Sequence, residues 1–137
     1  MCSIDDGEMP QFYNETNATA RKPHKCCECD RVIPTGEKYL RIEGKWDGDF
    51  LTFKQCTHCV ALYRWFQVVC GGSTLSGLAY DLVDHWDEYG ELPLGRLLVL
   101  MRRKWDGATP SDVTEIVQQS AVYNEVKSLS LKSKLSA

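Results

Sequence analysis

The sequence predicts an α+β protein: a small metal-held unit of knuckle, β-hairpin and helix, extended by a C-terminal set of about three helices. Three observations predict it. Cys26/Cys29 and Cys56/Cys59 form two Cys-x-x-Cys pairs standing 27 positions apart, and two such pairs supply the four thiolates of a tetrahedral site. Two short alternating stretches lie between them. Beyond residue 74 apolar residues recur at helical spacing.

Each element has its own signal. Residues 1–20 are polar and acidic without periodicity and are expected to be a flexible N-terminal tail. Residues 21–70 form the metal unit. Cys26-Cys27-Glu28-Cys29-Asp30-Arg31 reads as a knuckle, with Asp30 in the left-handed position that Asp tolerates. Glu37 to Glu43 alternates, Asp47-Gly48 signals a hairpin turn, and Phe50 to Phe53 returns as the second strand. Cys56-Thr57-His58-Cys59 then opens a helix carrying Val60, Tyr63, Phe66 and Cys70. Knuckle, hairpin, then a cysteine pair at a helix start is the order of a treble-clef zinc finger, and the helix N-terminus favours thiolate there.

Residues 71–127 are expected to be a helical extension packing on the hairpin, and 128–137 a flexible C-terminal tail. Gly71-Gly72-Ser73 breaks the first helix. Leu75 to Tyr89 forms the next, closed by Gly90. Pro93 starts another, with Leu94, Leu97, Leu98, Met101 and Trp105 on one face. Thr109 caps a last helix through Val113, Ile116 and Val117. Lys-Trp-Asp-Gly occurs at 45–48 and 104–107, which reads as turn chemistry. Trp46, Trp65, Trp86, Trp105, Phe50 and Phe53 are the candidate core fillers.

Four thiolates on one ion point to a single structural Zn²⁺ held by Cys26, Cys29, Cys56 and Cys59. A closed set of four leaves no position for water, which argues against zinc catalysis. His24 and His58 flank the ligands and are the substitutes considered, as is Cys27 in place of Cys26. Met1 to Glu15 carries four acids and no apolar run, so a secretory signal is not expected and disulfides fit poorly. No run approaches the ~20 apolar residues of a membrane-spanning helix. A cytoplasmic protein is therefore expected.

The net charge of −3 is uneven: residues 21–64 hold nine Lys/Arg against six Asp/Glu, whereas residues 1–20 hold four acids and no base. Arg21, Lys22, Lys25, Arg41, Lys45 and Lys54 are the candidate contacts for nucleic acid. Trp46, beside Asp47 at the hairpin tip, is a candidate exposed anchor for a protein partner. Asp81, Asp84, Asp87 and Glu88 surround His85 and read as a solvated acidic face rather than a second metal site. With Glu91 that face could also compete for a basic nucleic-acid groove, which makes Asp81, Asp84 and Glu88, like Asp47, candidate partner contacts. The hairpin has no histidine for His-Asn-His nuclease chemistry, and no Gly-rich phosphate loop is present, so an enzyme is not expected.

Ala20 to Cys29, Ile33 to Tyr39, Gly44-Lys45-Trp46-Asp47-Gly48, Thr52-Phe53-Lys54 and Cys56-Thr57-His58-Cys59 together resemble small proteins encoded by bacteriophages and prophages, over about residues 20–90. The resemblance implies a phage accessory protein of the bacterial cytoplasm and brings no assigned activity. By analogy of genomic context, it would bind and inhibit a host protein complex, as anti-CRISPR proteins do. The alternative is a nucleic-acid-binding zinc finger using the basic surface of residues 21–54. No membrane and no small-molecule substrate is indicated.

Overall fold

In chain order the elements are β1 (Phe12–Thr19), β2 (His24–Lys25), β3 (Val32–Ile33), β4 (Lys38–Trp46), β5 (Asp49–Cys56), α1 (Thr57–Cys70), α2 (Leu78–Tyr89), α3 (Leu92–Arg102) and α4 (Pro110–Gln118). The structure, a computed structural model, describes residues 12–70, 76–120 and 123–125. The expectations for Cys2, the Gly71-Gly72-Ser73 break, Leu75, the side chains of Cys70 and Tyr89, and the tail over 128–137 lie outside the described residues.

The larger sheet has the order β1-β4-β5, all antiparallel; β2 and β3 form a separate two-stranded ribbon. Asp47 and Gly48 both take positive φ, 50° and 85°, the combination of the tight hairpin turn whose twist suits the flanking strands. Residues 12–19, expected within a flexible tail, instead pair with β4 along their whole length, from Phe12↔Lys45 to Thr19↔Lys38. Their polarity concealed a strand that buries little: only Glu15 and Ala18 are partly covered. Its stability comes from backbone pairing and two ties to α1, Arg64 to Glu15 at 2.8 Å and Tyr13 Oη to Tyr63 Oη at 3.3 Å.

Residues paired across a ladder share a face, so the register divides the sheet. Tyr13, Glu15, Leu40, Ile42, Trp46 and Phe53 lie on the face toward α1. Phe12, Thr16, Arg41, Lys45, Phe50, Thr52 and Lys54 lie on the opposite face. Leu40 and Ile42 are buried, while Phe50 is 72% exposed, so Phe50 is not a core filler. Trp46, a candidate both for the core and for an exposed anchor at the hairpin tip, folds back over Gly44, where a Cβ would collide with its ring. It meets Tyr13 and Phe53 edge-on, with centroids 6.4 and 5.8 Å apart. Edge-to-face packing recovers apolar area that an exposed indole would forgo.

The helical extension packs chiefly on α1 and on itself, through α1–α4, α2–α3 and α3–α4, not on the hairpin as expected. The hairpin's inner face is already covered by α1, whose Leu62, Trp65 and Phe66 are buried. Gly90 closes α2 in the left-handed conformation, its N–H bonding Trp86 O, the C-terminal device that glycine serves best. Thr109 caps α4 in a reciprocal capping box with Asp112, which satisfies two end groups at once. α3 ends at Arg102, and Lys104 and Trp105 turn left-handed, φ 55° and 61°. Trp105 therefore lies beyond the helix, although expected on its face. Both Lys-Trp-Asp-Gly stretches include positive-φ turn residues, Asp47 and Gly48 in the first, after the end of β4, and Lys104, Trp105 and Gly107 in the second.

Candidate metal centre

β2 and β3 contribute two residues each, too little to hold a ribbon by themselves. The knuckle between them is closed by Cys26 N–H to Arg31 O at 2.9 Å and Asp30 N–H to Cys26 O at 3.1 Å, with Asp30 at φ 64°. That turn aims two amides at sulfur: Glu28 N–H to Cys26 Sγ and Arg31 N–H to Cys29 Sγ, each 3.4 Å. Cys56 ends β5 and Cys59 lies in the first turn of α1. The strand-to-helix junction thus places the second pair opposite the first.

All four sulfurs lie within 4.8 Å of one another, and all four cysteines are buried. Cys29 Sγ and Cys56 Sγ are 3.7 Å apart, far from the ~2.05 Å of a disulfide. A tetrahedral ion with sulfur bonds of ~2.3 Å puts its ligands ~3.8 Å apart. The cluster is compatible with a metal site, and it is the one grouping of three or more such ligands among the described residues.

Two further hydrogen bonds complete the surroundings. Cys56 N–H reaches Cys26 Sγ at 3.4 Å. Trp105 Nε1–H reaches Cys59 Sγ at 3.3 Å. Each N–H pointed at sulfur spreads thiolate charge and fixes the ligand's orientation. The sulfurs themselves act on one another. Bonds from Cys29, Cys56 and Cys59 hold the Cys26 thiol far below its usual value. Bonds to Cys26, Cys29 and Cys56, with burial, hold the Cys59 thiol far above it. Cys26 and Cys29 are pushed down while Cys56 and Cys59 are pushed up; thiolates this close repel one another, and a cation relieves that repulsion.

Neither histidine joins the cluster. His58 donates from Nε2 to Ala108 O at 2.7 Å and stacks on Trp105 with centroids 6.0 Å apart. His24 Nδ1 accepts from Lys54 Nζ at 3.1 Å, and burial with Lys54, Lys22 and Arg41 nearby pushes its pKa down. Cys27 also stands apart: burial, then Glu28 beside it, pushes its thiol up to about 12, so it stays protonated. Arg31 clamps Glu37 with bonds of 2.7 and 2.9 Å, joining the knuckle to the start of β4.

The remaining candidates divide. Arg21, Lys22, Lys25, Arg41 and Lys54 converge with His24, Tyr39 and Thr52 on one cleft of about 1280 Å³, and no carboxylate lines it. Lys45 lies farther along the sheet, its ammonium 5.4 Å from the Phe50 ring centroid. Asp47 is exposed in the turn. Asp84, Asp87 and Glu88 are exposed, but Asp81 is 6% and His85 1% exposed, so the acidic stretch is not one solvated face. Leu78, Leu82 and His85 turn inward together, and His85 packs edge-on against Trp65 and Phe66. Its Nδ1–H donates to Asp81 O at 2.9 Å, which places Asp81 at the buried seam. Sequence reasoning missed Trp105 as a sulfur partner. A signal existed: a tryptophan beside a turn dipeptide carries an N–H that must find an acceptor when buried.

No family model, curated protein or solved structure matches this chain. No helix among the described residues is long and apolar enough to cross a membrane.

Proposed function

We propose that this chain is a non-enzymatic binding module of treble-clef design, organised by one structural Zn²⁺ on Cys26, Cys29, Cys56 and Cys59, and that its ligand is nucleic acid. Zinc is favoured because it suits four soft ligands at tetrahedral spacing. Four sulfurs leave no coordination position for substrate, which supports a scaffold role. The observation that carries the ligand is the cleft: five cations, from three strands and the bend between β1 and β2, line one concavity that no carboxylate lines, with Lys25 and Arg41 each also paired to a neighbouring carboxylate, Asp30 and Glu43. In a chain of net charge −3, that concentration of positive charge is where polyanions gather.

Salt titration of binding tests it. Affinity for an oligonucleotide should fall linearly on a log–log plot, with a slope of roughly −0.7 per phosphate neutralised on a single strand. Replacing Arg21 and Lys22 by alanine should flatten that slope. A salt-independent affinity would remove the reading.

A second reading is favoured by a separate groove of about 410 Å³ lined by Ala79, Tyr80, Val83, Leu98 and Met101 beside the knuckle. Tyr80 is 76% exposed there. With the resemblance to phage proteins, it supports an accessory protein of the bacterial cytoplasm that inhibits a host complex through an apolar contact. Capture of the same host proteins from a bacterial lysate with and without nuclease would support that reading over the first.

A further inference from the structure

The open face of the sheet extends the cleft into a longer surface. Phe12 pairs with Lys45 and Lys45 with Phe50, so two aromatic side chains flank one cation across three strands. Phe12 is 49% and Phe50 72% exposed. Four residues back along β4 stands Arg41, opposite Thr16 on one side and Lys54 on the other. Two more residues lead to Tyr39 and the cleft walls at Arg21, Lys22 and Lys25. From Lys45 to Tyr39 the strand rises about 20 Å at ~3.3 Å per residue. Along this face the strands contribute a single carboxylate, Glu43, whose oxygen is bonded to Arg41 at 2.6 Å. Asn14, Thr16 and Thr52 supply neutral polar groups between the charges.

From this register we infer that the face takes single-stranded nucleic acid: bases stack on Phe12 and Phe50 at one end, and the backbone runs past Arg41 and Lys54 into the basic cleft. The inference rests on the nucleic-acid reading above and adds the strandedness and the stacking residues. Aromatic platforms beside a basic groove bind unpaired bases because every base presents a ring face, whereas a duplex hides its faces in the stack. A flat or concave face also offers no protruding element to enter a duplex groove. Neither aromatic belongs to the buried core, and the Phe50 ring lies beside the Lys45 ammonium on the open face.

The test uses the full-length protein loaded with zinc and three probes: fluorescent oligodeoxythymidylate and oligouridylate of about 16 nucleotides, and a DNA duplex of matched length. Phe50→Ala should weaken both single strands by about tenfold while leaving the melting temperature and duplex affinity unchanged, and Phe50→Tyr should restore binding. Lys54→Ala should weaken all three and flatten their salt dependence. The two single-strand probes show whether the sugar matters. If the wild-type protein binds duplex as tightly as single strands, or Phe50→Ala binds like wild type, the stacking platform is overturned and the cleft reading survives. If none of the three probes binds at low salt, both fall together.

Discussion

The cysteine pair at Cys26 and Cys29 sits in a turn that supplies two of its three sulfur partners, the third being Cys56 N–H, while the pair at Cys56 and Cys59 draws a side chain from another part of the chain. In the knuckle, the amides of Glu28 and Arg31 are two positions beyond the sulfurs they bond. At the strand–helix junction, Cys59 receives its bond from Trp105, 46 residues away. The His58 bond to Ala108 and the His58–Trp105 stack hold that same turn in place. The first arm can therefore be shaped by local backbone geometry. The second is shaped only once the helical extension has docked. Trp105 couples the second arm to the helical extension directly at a sulfur, whereas the first arm meets that extension beside its ligands, where the Glu28 side chain bonds the backbone of Ser76 and Leu78.

The largest perturbation erases the comparison. Cys29→Ser and Cys56→Ser should each abolish cooperative melting of the metal unit, since structural zinc is worth an apparent ~10–16 kcal/mol in finger peptides and binding is coupled to folding. Elemental analysis and thermal denaturation by circular dichroism read this together. A variant that keeps the wild-type transition would show that the sulfurs are not joined by an ion.

Trp105 separates the arms. Trp105→Ala should cost about 3–5 kcal/mol, because it empties a site 2% exposed in the native protein. Trp105→Phe keeps most of the volume and removes the N–H. It should lower metal affinity by roughly 10- to 100-fold, the range found for partners of metal ligands. Competition with a chromophoric chelator measures it. Equal affinity in Trp105→Phe and wild type would mean that the two arms are alike.

The knuckle responds to backbone changes instead. Asp30→Val should destabilise by about 1–2 kcal/mol, since a β-branched residue resists the left-handed conformation, whereas Asp30→Gly should be close to neutral. Smaller still is the Arg31–Glu37 clamp. The Arg31 guanidinium holds the Glu37 carboxyl below its ordinary value. A depressed carboxylate stabilises the fold above the unfolded value and loses that contribution as pH falls through the folded one. Glu37→Gln should therefore cost about 1 kcal/mol at neutral pH, and its difference from wild type should vanish on acidification below the carboxylate range. Denaturant midpoints at a series of pH values follow it.

The parts that could be read in the sequence were those with local causes. The ligand spacing, the left-handed Asp30, the Asp47-Gly48 turn, the Gly90 stop and the Thr109 cap each depend on a few adjacent residues. β1 escaped notice because an edge strand with little buried surface needs no apolar alternation. Trp46 and Phe50, both candidate core fillers near the hairpin tip, parted: Trp46 packs and Phe50 stays exposed, because only one face of that hairpin meets α1. Asp81 and Asp84 are three residues apart with opposite fates, decided by the rotation of α2 against α1.

The sequence by itself determined how the sulfurs are paired, because two residues between cysteines fix the reach within each pair through covalent geometry; bringing the pairs together took the fold. The sequence also supplied the cations, without saying that they meet. Strand register and the placement of the knuckle beside the sheet gathered Arg21, Lys22, Lys25, Arg41 and Lys54 on one cleft. Only tertiary structure could decide this, because charges that lie far apart along a chain share a surface only after backbone pairing has set which residues stand side by side.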